Sequence, residues 1–234
     1  MQHRLSAFAI VCAIAFPSVG TAQHVSPSRA VEVESYHVPM FENELVTVLR
    51  VQIPGGRSTG YHVHSRDQFG VVVAPFPPKA YAQILGQAPN APRQAPVGEV
   101  TFTRFFGAPV THRVVNPDTI PLDRYDILLN SRTPAGFTPA ARDVPGYTRV
   151  LDNDRVRAWR LVLAPGETAP SITQAAPGIR VVVRGGEIEE IRPDKRDRGF
   201  LLRATELYWQ DPGATRVVRN IGTTTVELVE FEIK

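Results

Sequence analysis

The sequence predicts an all-β protein built as two small antiparallel barrels in tandem, and three observations predict it. Short β-branched or alternating runs, Leu45 to Ile53, Phe69 to Ala74, Val156 to Leu163, Ile179 to Arg184 and Thr225 to Ile233, are separated by Gly and Pro turns, the rhythm of a sandwich or barrel. No stretch sustains a helical period. The third observation is an internal repeat. Phe41-Glu-Asn-Glu-Leu-Val-Thr-Val-Leu-Arg-Val-Gln-Ile-Pro-Gly-Gly corresponds to Leu151-Asp-Asn-Asp-Arg-Val-Arg-Ala-Trp-Arg-Leu-Val-Leu-Ala-Pro-Gly-Glu with one inserted alanine, Val71-Val-Val matches Val181-Val-Val, and Asn116 matches Asn220. A repeat of this length is a whole small domain.

Taken in order, residues 1–22 read as an export signal: Arg4 supplies the positive start, Leu5 to Phe16 an apolar run, and Gly20-Thr21-Ala22 a small-residue cleavage site. The run is too short to span a membrane. Cleavage removes Cys12, the only cysteine, so the exported chain, periplasmic or secreted, has no disulfide and rests on its core. The first barrel is expected over 23–133 and the second over 148–234. Between them, 134–147 reads as a linker because Pro134, Gly136, Pro139, Pro145 and Gly146 interrupt regular structure. Pro75 to Pro96 carries six prolines and reads as a loop insertion at the barrel mouth and a candidate lid. Lys195 to Arg198 reads as a solvated loop, and Gly185-Gly186 as a hairpin turn. The formal net charge is +3, with no basic tract interleaved with aromatics, which argues against nucleic acid as a partner. No membrane association is expected after cleavage, and a homodimer is a possible assembly.

The chemistry resides in three histidines. His62 and His64 are two residues apart, so on a strand both imidazoles project from one face, about 6–7 Å apart along the backbone. A third, His112, lies in another strand-like segment, which a sheet closing on itself delivers to the same place. No Gly-x-Ser-x-Gly, no phosphate-cradling glycine loop and no surviving cysteine nucleophile offers a rival chemistry. His24 and His37 lack comparable context and read as surface residues.

These residues resemble the cupins, in particular the two-repeat bicupins. Gly56, five residues and His62-Val-His64 follow the family's first motif, and His112-Arg-Val-Val-Asn116 the end of its second. The sequence departs from the first motif at Gln68, where the family has Glu, and at Pro75, where it has Gly. The resemblance implies a jelly-roll barrel holding one divalent transition metal, Fe, Mn, Ni, Cu or Zn, on His62, His64, His112 and the residue at the Glu position. That residue is Gln68, with Asp67 as rival donor. Without a carboxylate such a site keeps its full positive charge and favours an anionic ligand.

The second repeat has lost these donors: His62 faces Ile172 or Thr173, His64 faces Gln174 or Ala175, and His112 faces Arg216, read as an arginine covering an outer strand, with an anion-binding arginine in a degenerate cup as the alternative. Arg104, evenly spaced from His112, is the candidate for holding a substrate carboxylate, with a surface arginine as the competing reading. The resemblance implies an exported metal-binding bicupin, with a dioxygenase-like activity on a small organic acid or phenolic compound. A non-catalytic small-molecule-binding or structural protein is the alternative.

Overall fold

A computed structural model describes residues 28–139, 141–142, 144–193 and 195–234, and of 195–198 the backbone alone. The expected signal 1–22, Cys12 and His24 lie outside the described residues. The first ten strands are β1 (Arg29–Ala30), β2 (His37–Glu42), β3 (Val46–Ile53), β4 (Arg57–Ser58), β5 (His62–His64), β6 (Gln68–Val72), β7 (Tyr81–Ile84), β8 (Val100–Thr103), β9 (Val110–Asn116) and β10 (Leu122–Leu129). They form an outer sheet in the order β1-β5-β9-β4, with β7 also on β9, and an inner sheet in the order β2-β3-β10-β6-β8. The remaining strands are β11 (Tyr147–Asp152), β12 (Val156–Leu163), β13 (Ile172–Thr173), β14 (Gly178–Arg184), β15 (Gly186–Arg192), β16 (Lys195–Leu202), β17 (Leu207–Gln210), β18 (Thr215–Asn220) and β19 (Val226–Ile233). Their inner sheet runs β11-β12-β19-β14-β17 and their outer sheet β13-β18-β15-β16. Pairing is antiparallel apart from β1 on β5. Among the described residues no helix is long and apolar enough to cross a membrane.

The pleat explains where everything goes. On β3, Val46 and Val48 face a core shared by the two inner sheets, whereas Val51 and Ile53 belong to a separate cluster with Leu122. On β10, Tyr125, Ile127 and Leu129 join the shared core, so Arg124 and Asp126 point the other way, into the cup between inner and outer sheets. The second half repeats this division. Val229, Phe231 and Ile233 of β19 enter the shared core, and Val226 and Leu228 the second cup. Phe69 and Phe231 meet across the halves at 4.7 Å between ring centres, each contributing about 1.5–3 kcal/mol by leaving water. The inner strands are therefore buried on both faces, which is why they read as near-continuous apolar runs.

Two expectations need correction. Residues 195–198 open β16 instead of forming a loop, held by pairing with β15. Gly185 does not close a hairpin: β14 pairs with β17 and β19, and β15 with β16 and β18. The chain crosses there from inner to outer sheet. A Cβ on Gly185 would meet the Leu202 carbonyl oxygen at 2.3 Å, so the crossing requires glycine. The proline-rich insertion contains β7, which lays Tyr81 to Ile84 along β9, with Ile84 opposite His112.

Candidate metal centre

In the register of β5 and β9, His62 stands opposite His112, and strand periodicity puts His64 on the same face. The three Nε2 atoms form a nearly equilateral triangle: 3.1 Å from His62 to His64, 3.1 Å from His112 to His62 and 3.0 Å from His112 to His64. These rings are buried or largely so. The back of each β5 ring is committed. His62 Nδ1 lies 3.0 Å from the Gly60 carbonyl oxygen and His64 Nδ1 2.6 Å from Gln68 Oε1; both partners are acceptors, so both imidazoles donate there and keep an Nε2 lone pair facing the centre. No proton is then available to the His62–His64 contact. Two buried lone pairs 3.1 Å apart repel one another, and a cation between them removes the repulsion. A transition-metal ion would be held there by the Nε2 atoms of His62, His64 and His112 and would supply Lewis acidity. The donor set fits such a metal.

No protein-family model and no curated protein matches the sequence, but solved structures do resemble the fold. The chain is similar to AerE from Microcystis aeruginosa, with a TM-score of 0.59 and 13% identity over 85% of this chain and 97% of that one. It is also similar to a variant of salicylate 1,2-dioxygenase from Pseudoaminobacter salicylatoxidans in complex with gentisate. There the TM-score is 0.58, with 10% identity over 84% of this chain and 73% of that one. The chain has the cupin fold. At these identities the likeness carries the fold alone, and the activity has to be argued from the cup itself.

The first cup of this cupin fold encloses a cavity of about 400 Å³ lined by the three histidines, His37, Gln68, Arg93, Arg124 and Asp126 on its polar side. Val51, Ile53, Phe76, Val114 and Leu122 form an apolar wall. The insertion supplies Phe76, Ala80, Tyr81, Asn90 and Arg93 to the rim. Gln68, expected as a ligand, bonds the far side of the His64 ring from the three Nε2 atoms. It begins β6 on the inner sheet, across the cup from β5, and so meets the Nδ1 of His64 and not the metal side of the ring. Asp67, the rival donor, is engaged with other partners. Its carboxylate accepts the Phe105 and Phe106 N–H groups at 2.8 and 2.9 Å and pairs with Arg155 at 3.2 Å.

Arg104 also lies elsewhere. It is 58% exposed, pairs with Asp154 and stacks over Phe102. Strand parity from His112 fails because β8 ends at Thr103 and the chain turns before β9 begins at Val110. The arginines that reach the cavity are Arg93 and Arg124. Arg124 donates to Thr101 Oγ1 at 3.0 Å and lies 2.8 Å from Asp126. Its guanidinium crosses β6 at Gly70, where a Cβ would come within 2.5 Å of Arg124 Nη2.

His37, expected at the surface, is 5% exposed, with its ring 4.8 Å from that of His62. Its Nδ1 is buried without a hydrogen-bond partner. Only the β2–β3 register, which sets His37 opposite Val51, brings it inside; an isolated histidine on an edge strand carries no periodic signal. Burial lowers its pKa to about 4 and that of His112 to about 3, with His64 and His62 lowering His112 further. Burial also lowers His62 and His64. Neutral imidazoles are what a metal requires. Burial pushes Asp126 up, but Arg124 and the imidazoles outweigh it and leave its pKa below the ordinary carboxylate value.

Proposed function

We propose that this protein is a mononuclear-metal enzyme of dioxygenase type that acts on a small anionic organic compound, an organic acid or a phenol. The observation that carries the reading is the 3.1 Å contact between His62 Nε2 and His64 Nε2, both committed as donors on their far sides. Fe, Mn, Ni, Cu and Zn all accept imidazole, and when bound such an ion supplies Lewis acidity and open positions for substrate and dioxygen.

The chain's own residues do the rest. Three neutral donors leave a divalent ion its full charge, so the cup attracts an anion. The wall of Val51, Ile53, Val114 and Leu122 excludes water and suits an apolar ring. Gln68 holds His64 by its Nδ1, and the Gly60 carbonyl holds His62, so neither ring turns away. Gentisate in the complex of salicylate 1,2-dioxygenase is a compound of this class and a first candidate to test.

The test has two stages. Metal analysis of protein purified without chelator, and after reloading with each of the five ions, should find one metal per chain. His64→Ala and His112→Ala should lose it. Oxygen uptake should then accompany loss of gentisate, salicylate or another member of a phenolic and organic-acid panel. Less than about 0.1 metal per chain after reloading would remove the reading. Full metal with no turnover across the panel would make the protein a ligand-binding cupin.

A further inference from the structure

The second cup lacks the three histidines yet is occupied. Arg216 stands where His112 stands in the first, opposite Ile172, and Gln174 takes the place of His64. Arg216 is 1% exposed and sits inside the cup, not on an outer surface as its sequence context implied. Glu230 and Glu232 of β19 and Arg180 of β14 line the same cup, all buried. Into this setting comes a side chain from outside both sheets, Arg142 of the segment joining β10 to β11. It is also 1% exposed.

Both terminal nitrogens of Arg142 are engaged, while its Nε is buried without a hydrogen-bond partner among the described residues. Its Nη1 donates to Glu230 Oε2 at 2.5 Å, and its Nη2 to Glu232 Oε1 at 2.5 Å and to Gln174 Oε1 at 2.8 Å. The guanidinium carbon lies over the Trp159 ring, 4.3 Å from its centre, and 5.8 Å from the centre of the Tyr147 ring. Two carboxylates, one amide oxygen and an aromatic face are the elements by which proteins recognise a guanidinium and reject an ammonium of equal charge. Arg180 and Arg216 hold the receiving carboxylate in place, Arg180 Nε at 2.9 Å and Arg216 Nη2 at 3.1 Å from Glu230. Glu230 is thus also held by ion pairs that do not involve Arg142.

We infer that the second cup is a guanidinium-binding site whose resident ligand is the chain's own Arg142. The first cup has donors arranged for a cation from solution; the second has acceptors arranged for an organic cation and receives it from the same chain. At the other end of the connecting segment, Arg155 donates to the Ser131 and Arg132 carbonyl oxygens at 2.5 and 3.2 Å. The segment is therefore clasped at both ends. With the side chain of residue 142 shortened, the site should take a free guanidinium compound such as methylguanidinium, or the side chain of free arginine.

The test is chemical rescue of Arg142→Ala. The substitution should lower Tm by roughly 6–20 °C, as the loss of one partner of a buried ion cluster does in a chain of this size. Methylguanidinium at low millimolar concentration should restore part of that loss in a saturable manner, and should change the fluorescence of Trp159 in a Trp209→Phe background. Methylammonium and sodium chloride at the same ionic strength should do neither, and wild-type protein should not respond. Equal rescue by methylammonium, an equal response of wild type, or no saturable rescue would overturn the assignment. Should Arg142→Ala not fold unaided, refolding from urea with each salt makes the same distinction. Recovery that depends on methylguanidinium supports the site, and recovery indifferent to the cation, or none with either, refutes it.

Discussion

The strand that carries His62 and His64 in the first cup has Ile172 and Gln174 at the matching register in the second, and the facing strand exchanges His112 for Arg216. The inner walls differ in the same way: Asp126 lies beside Arg124 in one, while Glu230 serves Arg142, Arg180 and Arg216 in the other. One β-architecture thus supports two solutions to a polar interior. The first keeps neutral donors about an open cavity and needs an ion to relieve their mutual repulsion. The second balances charge with charge inside the chain. A jelly-roll cup accepts different contents as long as its buried charges are balanced.

The comparison can be broken most forcefully in the second cup. Glu230→Ala removes the carboxylate that three buried guanidiniums share and should cost about 3–5 kcal/mol in a denaturant titration. A loss below about 1 kcal/mol would put this cluster on a par with the exposed Arg104–Asp154 pair. The first cup should respond less in stability and more in affinity. Gln68→Ala should weaken metal binding about 10–100-fold in competition with a chelating dye, because His64 loses the partner that orients it. Gln68→Glu should hold or raise affinity, since a carboxylate strengthens the bond to Nδ1–H. Unchanged affinity in the alanine variant would show that packing alone orients His64.

The last contrast separates the cups by pH. From pH 7 to pH 5 the unfolded chain takes up protons at its histidines, while His37 and His112, held near 4 and 3 by burial, do not. Metal-free protein should therefore lose roughly 2 kcal/mol for each of these two histidines, about 3–4 kcal/mol in all, across that window as pH falls. The second cup adds nothing there. Burial alone would raise Glu230, but Arg216, Arg180 and Arg142 outweigh it and hold it well below the ordinary carboxylate range. Its contribution is lost only as pH falls below about 4.5 toward that depressed value. A stability profile flat between pH 7 and pH 5, or one that His37→Leu leaves unchanged, would contradict this division.

Much of the site was legible because two-residue spacing on a strand is a direct statement about side-chain direction. His62 and His64 needed only that rule, and His112 needed a strand of its own. Gln68 was legible as a residue of the site and illegible in its role. Whether its oxygen meets the metal side or the far side of His64 depends on the chain leaving the outer sheet between His64 and Gln68. Parity misplaced Arg104 because a turn intervenes before β9. Arg216 and His37 were misplaced for a shared reason. A lone arginine or histidine in a sequence looks exposed until the partners that make its burial affordable arrive from distant strands, here Glu230 and Gln174 for one and the His62 ring for the other.

By itself the sequence determined the β class, the alternation within each strand and the three imidazoles on facing strands, because these follow from local periodicity and from donor chemistry. Tertiary structure alone decided that the two inner sheets share one core, that Gln68 bonds the far side of the His64 ring, and that Arg142 fills the second cup. Each depends on which strands become neighbours, and that is set by burial summed over the whole chain.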